Sequence, residues 1–246
     1  MDLPLISIIT VVLNSVDCIE NTIQSVINQT YPNKEYIIID GGSTDGTLDI
    51  IKKYDGHINY FVSEPDKGIY DAMNKGIKYA KGDKIIFLGA GDCFYNNEVL
   101  TQVAPFLNKY DFVYGNVILK SPVDSKEIIY DGKFSSYKLT IKNICHQGIF
   151  YDKGLFTKYG HYDLMYKIWA DYEFNLRVFR KTKKKYLNLI IAINKPGGIS
   201  QQREDELFKQ KRLYLINKYL GVHYCLLYLS RKWISHLKNK LISFLK

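Results

Sequence analysis

The chain predicts an α/β fold: a mostly parallel, Rossmann-like sheet flanked by helices, with a helical C-terminal extension. Three observations carry this expectation. Strand-length apolar runs alternate with segments of helical periodicity through residues 1–115. Three of those runs end on Asn14, Asp40 and Asp92, at the carboxyl edge where open α/β sheets bind ligands. A chain of 246 residues with 46% hydrophobic and 24% charged residues has ordinary globular composition and can bury a sizeable core.

Taken in order, Leu5 to Leu13 is a buried strand pattern that leads into Asn14-Ser15. Ile19, Ile23, Val26 and Ile27 recur at helical spacing until Tyr31-Pro32-Asn33 breaks the pattern. Tyr36 to Ile39 is β-branched and aromatic, a strand buried on both faces that delivers Asp40. Gly41 and Gly42 let the backbone approach a ligand, and Ser43, Thr44 and Asp45 are suited to cap a short helix near 47–54. Ile58 to Ser63 is a third strand, so right-handed crossovers are expected. After the loop Glu64 to Gly68, Ile69, Met73 and Ile77 mark one face of a helix over 69–80. Lys84 to Leu88 is a fourth buried strand and ends in Gly89-Ala90-Gly91-Asp92. A helix near 96–107 and a strand near 111–115 complete this half.

The second half is less regular. Val117–Lys120 and Glu127–Tyr130 suggest a hairpin around Ser121-Pro122-Val123-Asp124. His146 to Tyr151 suggests a strand, Trp169 to Arg180 a helix and Leu187 to Ile193 another strand. Pro196 to Ser200 has the composition of a loop, and from Arg203 the pattern is helical to the end, with an interruption near Gly221. The expected division is a main domain over 1–202, in two halves (1–115 and 116–202), followed by a basic amphipathic tail over 203–246.

The net charge is +9, and its location matters more than its size. Of the 34 Lys and Arg, nine lie in 207–246, which holds no Asp or Glu; the 25 that remain equal the 25 acids. A neutral body argues against nucleic-acid binding, and a basic tail suits an anionic surface. Cys18, Cys93, Cys145 and Cys225 form no Cys-x-x-Cys pair, which points to reduced thiols and neither a disulfide framework nor a zinc site. Leu3 to Leu13 lacks the basic leader of a signal peptide, and no stretch reaches the roughly 18 apolar residues of a spanning helix. The expected location is cytoplasmic, peripheral on the inner face of the cell membrane.

No GxGxxG follows the first strand, and GxxxxGK[ST] does not occur. What does occur is Ser7-Ile8-Ile9-Thr10-Val11-Val12-Leu13-Asn14, Ile39-Asp40-Gly41-Gly42-Ser43-Thr44-Asp45-Gly46-Thr47 and the run Ser63 to Gly76 around Glu64-Pro65-Asp66-Lys67-Gly68. Phe87 to Asp92, His146-Gln147 and Trp169-Ala170-Asp171-Tyr172 follow in that order. Over roughly residues 5–200 these stretches resemble the family 2 glycosyltransferases of GT-A fold, above all the bacterial members that build O-antigen and capsule polysaccharides.

The resemblance implies roles position by position. Thr10, Val11 and Asn14 match the strand edge that touches the nucleotide, and Gly42, Ala90 and Gly91 fall in the donor-binding turns. Asp40 matches the acid that hydrogen-bonds the pyrimidine; Asp66 and Lys67 lie where the nucleotide is contacted. Asp92 matches a metal-binding acid for Mn²⁺ or Mg²⁺, with His146 either completing the metal shell, binding the diphosphate or serving structure alone. Asp171 matches the general base, and Trp169 and Tyr172 either stack on the acceptor sugar or belong to the core. Gly91 stands where many relatives carry a further acid, which leaves a catalytically weakened partner subunit as the alternative. The activity implied is inverting, metal-dependent transfer from a nucleotide sugar, a UDP-sugar, to a glycan or lipid-linked acceptor.

The tail carries its own signal. Leu226, Leu229, Trp233, Leu237, Leu241 and Phe244 recur at three- and four-residue spacing, with Arg231, Lys232, Lys238, Lys240 and Lys246 around them. That pattern reads as an interfacial helix on an anionic membrane surface, or as a helix packed on its own body.

Overall fold

The computed structural model describes residues 3–120, 126–130, 132–194 and 204–244. Among the described residues nine strands form one mixed sheet: β1 (Ile6–Val12), β2 (Lys34–Asp40), β3 (Tyr60–Ser63), β4 (Lys84–Gly89), β5 (Cys93–Phe94), β6 (Phe112–Lys120), β7 (Glu127–Tyr130), β8 (Ile149–Asp152) and β9 (Lys184–Asn194). Their order is β3-β2-β1-β4-β8-β6-β9-β5, with β7 on β6. The pairs β1/β2, β1/β4 and β2/β3 are parallel, as the alternating pattern predicts. β8 then runs antiparallel to both β4 and β6 and joins the two halves.

Burial explains the parallel half. Every residue of β1 is buried, so its run carries no polar alternation. Successive side chains serve opposite faces: Ile37 and Ile39 join one core with Met73 and Ile77, while Ile38 joins the other with Ile19, Ile23 and Val26. The helices behind these side chains are α1 (Ile19–Ile27), α2 (Thr47–Lys52), α3 (Ile69–Tyr79) and α4 (Val99–Leu107). All loops after β1, β2, β3 and β4 consequently leave from one edge of the sheet.

The structure departs from the expectations in places. α4 starts three residues late, because the Asn96 side chain accepts from the Glu98 amide and holds a turn there. His146–Gly148 is a 3₁₀ turn closed by the Gly148 amide on the Cys145 carbonyl, and strand β8 begins only at Ile149. Two six-residue helices, α5 (Ser136–Ile141) and α6 (Gly154–Tyr159), and the two-residue β5 carry too little periodicity to be read from sequence. The β6–β7 hairpin forms, while its tip at 121–125 and the loop at 196–200 lie outside the described residues. All four cysteines are free thiols.

Three helices close the chain: α7 (Ala170–Val178), α8 (Glu206–Leu220) and α9 (Val222–Phe244). Phe208, Leu215 and Leu220 of α8 belong to the main core, so α8 is built into the body. α9 is not. Tyr228 is buried, but Leu226 is 63% and Trp233 65% exposed, with Leu229 and Leu237 exposed beside them. At about 100° per residue those four share one face, and Tyr228 lies on the opposite one. The helix turns its apolar stripe outward. No helix among the described residues is long and apolar enough to cross a membrane.

Candidate active site

The donor edge is organised by a saturated acid. Asp40 Oδ2 accepts from the amides of Gly42 (2.9 Å) and Ser43 (2.9 Å) and the Ser63 hydroxyl (2.6 Å), while Oδ1 accepts from the Ser43 hydroxyl (2.5 Å). A carboxylate has about four lone-pair sites, and Asp40 is fully buried. These four bonds fix the turn that follows β2. Thr10 is likewise fully buried, its hydroxyl committed to the Tyr36 hydroxyl at 3.1 Å, and Val11 is buried beside it. Asn14 sits at φ 46°, in the left-handed region, and its side chain accepts from the Thr44 amide at 2.9 Å. It ties the β1 edge to the β2 loop.

Asp66 is differently placed. Its Oδ1 accepts from the Gly68 amide at 2.8 Å. Its Oδ2 leans over Gly41 so closely that a Cβ there would lie 2.6 Å away, with Leu13 also in contact. Leu13 is half exposed. A half-buried carboxylate thus lies beside an exposed apolar side chain, and Lys67 is exposed next to it.

Asp92 lies across the same edge, buried after β4. Its Oδ2 accepts from the Gly89 amide (3.1 Å) and Gln147 Nε2 (2.9 Å), and Oδ1 from Asn194 Nδ2 (3.0 Å). Gly91 has φ +98°, a conformation that strains a residue with Cβ, and its amide donates to the Thr22 hydroxyl. That backbone conformation favours glycine at this position. Ala90 is half-buried, with its amide on the Val11 carbonyl.

Asp171 opens α7 and is also buried. Oδ1 accepts from the Tyr70 hydroxyl (2.8 Å) and the Tyr172 amide (2.8 Å); Oδ2 accepts from Asn143 Nδ2 (2.9 Å) and lies 3.4 Å from His146 Nδ1. Burial pushes the Tyr70 phenol well above its ordinary range, and the Asp171 charge adds to this, so Tyr70 remains a donor. Asn143 is oriented in turn by Asn175, four residues along α7 from Asp171, and Asn175 by the Tyr151 hydroxyl. Asp205 caps α8 and accepts from the Ile168 amide, which fixes the approach to α7. Asn143, Asn175, Asn194 and Asp205 were not legible as site residues, and Gln147 was marked in the sequence as part of the His146-Gln147 match with no role of its own. Only the four-residue spacing of Asp171 and Asn175 hinted at one.

His146 Nδ1 meets the Asp171 carboxylate. Among the described residues no three His, Cys, Asp or Glu side chains gather as a cation set. Stacking on an acceptor sugar is also closed to Tyr172. Its ring is stacked on Phe208 at 4.7 Å, its hydroxyl donates to the Leu139 carbonyl, and it is buried. Trp169 packs edge-on against the same Phe208 and stays half-buried.

Burial alone would push the His146 pKa down; contact with Asp171 and the charges of Asp171 and Asp92 outweigh it and hold the pKa above the ordinary histidine value. A raised folded pKa gives stability that is fully present below the unfolded value of about 6.5 and is lost as pH rises through the folded value. The melting-temperature gap between wild type and His146→Gln is therefore expected to be widest below about pH 6.5 and to narrow on alkalinisation. A gap that widens with pH would show that His146 is buried neutral.

The profile of the Glycosyl transferase family 2 matches residues 7–161. The chain is 37% identical over 243 residues to the PGL/p-HBAD biosynthesis glycosyltransferase of Mycobacterium tuberculosis (strain ATCC 25177 / H37Ra), covering 95% of this chain and 92% of that protein. It is 30% identical over 146 residues to the putative teichuronic acid biosynthesis glycosyltransferase TuaG of Bacillus subtilis, 57% of this chain and 58% of TuaG. The structure of S. aureus TarS 1-349 in complex with UDP-GlcNAc is similar with a TM-score of 0.68 at 18% identity, covering 87% of this chain and 67% of that one. In another TarS 1-349 structure the chain spans 59% of the length. The mannosyltransferase PcManGT from Pyrobaculum calidifontis in complex with GDP-Man and Mn²⁺ gives 0.66 at 16% identity, over 89% of this chain and 63% of that one. At such identities the solved structures speak for the shared fold, while the profile and the mycobacterial relative speak for the family. The chain belongs to glycosyl transferase family 2 and is a glycosyltransferase of GT-A fold.

Proposed function

We propose that this glycosyltransferase moves a sugar, with inversion, from a UDP-sugar to a hydroxyl of a glycan or lipid-linked acceptor in surface polysaccharide synthesis. One observation carries the reading. The neighbours His146 and Gln147 reach the two acids of the two halves, Gln147 donating to Asp92 and His146 pairing with Asp171. A donor-side and an acceptor-side carboxylate are thereby tied to one dipeptide at the sheet edge. The UDP-GlcNAc complex of TarS and the glycan-synthesis names of the relatives support the donor and pathway class.

In this reading the half-buried Asp66 carboxylate accepts from the nucleobase N–H, and Leu13 gives the ring an apolar support. Asp171, held by Tyr70 and Asn143 and paired with His146, takes the hydroxyl proton as the anomeric carbon is attacked. Asp92 would hold Mn²⁺ or Mg²⁺, and a single protein carboxylate fits the way Mg²⁺ is bound beside substrate phosphates. The Mn²⁺ complex of PcManGT supports cation use. When bound, the cation neutralises charge on the departing diphosphate. The partner-subunit alternative rested on Gly91 alone, and the φ of +98° supplies a backbone reason for that glycine.

Nucleotide titrations test the donor assignment, with UDP expected to bind more tightly than GDP or CDP. Gly41→Ala should weaken UDP binding about ten-fold, the size of one lost charged hydrogen bond, because its Cβ displaces the Asp66 carboxylate. Unchanged UDP affinity would remove Asp66 from the site.

The outward apolar stripe of α9, with a basic tail and no acid, supports peripheral attachment to an anionic membrane. Deleting 222–246 is expected to abolish co-sedimentation with anionic vesicles and to spare UDP binding. Sedimentation of the truncated protein at the wild-type level would contradict that attachment.

A further inference from the structure

Where α9 leaves the body, a cavity of about 190 Å³ opens against α5 and α8, lined by Ile141, Arg212, Tyr228, Arg231, Lys232 and Ser235. Three of those side chains are cations and none is an acid. Arg212 donates to the carbonyls of Thr140 (3.0 Å) and Ile141 (2.7 Å) and to the Tyr172 hydroxyl (3.0 Å), all of them neutral. Its guanidinium is held 5.2 Å from the Tyr228 ring and 5.5 Å from the Tyr172 ring. No carboxylate pairs with Arg212, Arg231 or Lys232 among the described residues. Uncompensated positive charge, two hydroxyls and one apolar wall are the chemistry of a phosphate site, because guanidinium forks match phosphate oxygens.

The source of that phosphate follows from the helix above it. Leu226, Leu229, Trp233 and Leu237 face outward, away from the side where Tyr228 and Ser235 line the cavity. A helix is about 10–12 Å across, and an interfacial helix sinks its apolar face about 5–10 Å into the headgroup boundary. The cavity side is then level with lipid head groups.

We propose that this cavity binds the head-group phosphate of a membrane lipid, with Arg231 and Lys232 closing on it and Arg212 as its fixed floor. The proposal rests on the membrane reading of α9. It adds a specific site to what would otherwise be adsorption by charge.

The test uses the full chain and phosphatidylcholine vesicles doped with phosphatidic acid, or with oleate to the same surface potential. Trp233 is one of two tryptophans, and its emission together with co-sedimentation reads binding. Wild type is expected to prefer the phosphatidic acid vesicles by about ten-fold or more, the size of charge-assisted hydrogen bonds. Arg231→Gln/Lys232→Gln should erase that preference, whereas Lys238→Gln/Lys240→Gln, with the same loss of charge, should weaken both vesicle types alike and keep it. Equal binding to the two vesicle types, or equal loss of preference in the two double variants, would overturn the site while leaving the membrane reading in place. Failure to bind any vesicle would overturn both. Calorimetric binding of inorganic phosphate to the full chain at millimolar concentration, with vesicle preference absent, would assign the cavity to soluble phosphate and overturn the lipid source. UDP affinity, measured in parallel, should not move in any of these proteins; if wild type lacks it, the donor reading fails separately.

Discussion

Asp171→Asn is expected to lower transfer by about 10²–10⁴-fold, the usual cost of losing a general base, while UDP affinity stays within about two-fold of wild type. The amide is nearly isosteric, so Tyr70 and the Tyr172 amide keep a carbonyl oxygen to donate to. Asn143 and His146 meet Oδ2, where the new NH₂ group can no longer accept a proton. An interaction made only in the transition state lowers kcat and kcat/KM together. Single-turnover transfer with saturating donor measures this directly. Transfer at the wild-type rate would end the assignment of Asp171, and an equal loss of UDP affinity would turn it into a residue that builds the crevice.

The second large effect is expected at Asp92. Asp92→Ala leaves the buried amides of Gln147 and Asn194 without this acceptor, and an unsatisfied buried donor costs about 1–3 kcal/mol. The protein should melt several degrees lower, since about 1 kcal/mol shifts the midpoint by roughly 2–4 °C at this size. Asp92→Asn keeps an acceptor oxygen and separates fold from chemistry. It should recover most of the stability yet still lose about 10²-fold or more in transfer, as when one charge-stabilising group is removed. Titrating Mn²⁺ against donor affinity completes the comparison: dependence on the cation should vanish in both variants. The wild-type Mn²⁺ response in Asp92→Asn would place the cation elsewhere.

What could be read beforehand follows from how each feature is encoded. The runs Ile6–Val12, Lys34–Asp40 and Lys84–Gly89 are buried on both faces, so their apolar signal is local and strong, and the acids at their ends stand out. The Asp171 environment is assembled from Tyr70, Asn143, His146 and Asn175, which come from separate elements and whose side chains meet only after β8 joins the halves. No periodicity announces such a cluster. Sequence placed Asp40 and Asp92 at strand ends and matched Asp171 to a general base without fixing their burial. The structure buries all three, and the bonds that hold Asp40 come from its own loop and from Ser63. The Trp169 and Tyr172 aromatics illustrate the converse, since a Tyr after the candidate base is the same letter whether it meets a sugar or stacks on Phe208 of a helix more than thirty residues away.

The most direct measurement is turnover of a panel of nucleotide sugars by the purified protein with Mn²⁺ or Mg²⁺, followed by the anomeric configuration of any product by NMR. The expected result is release of UDP from one UDP-sugar, stimulated by the cation, with the configuration at the anomeric carbon inverted relative to the donor. Product of retained configuration, or a panel in which no nucleotide sugar is bound or consumed, would contradict it.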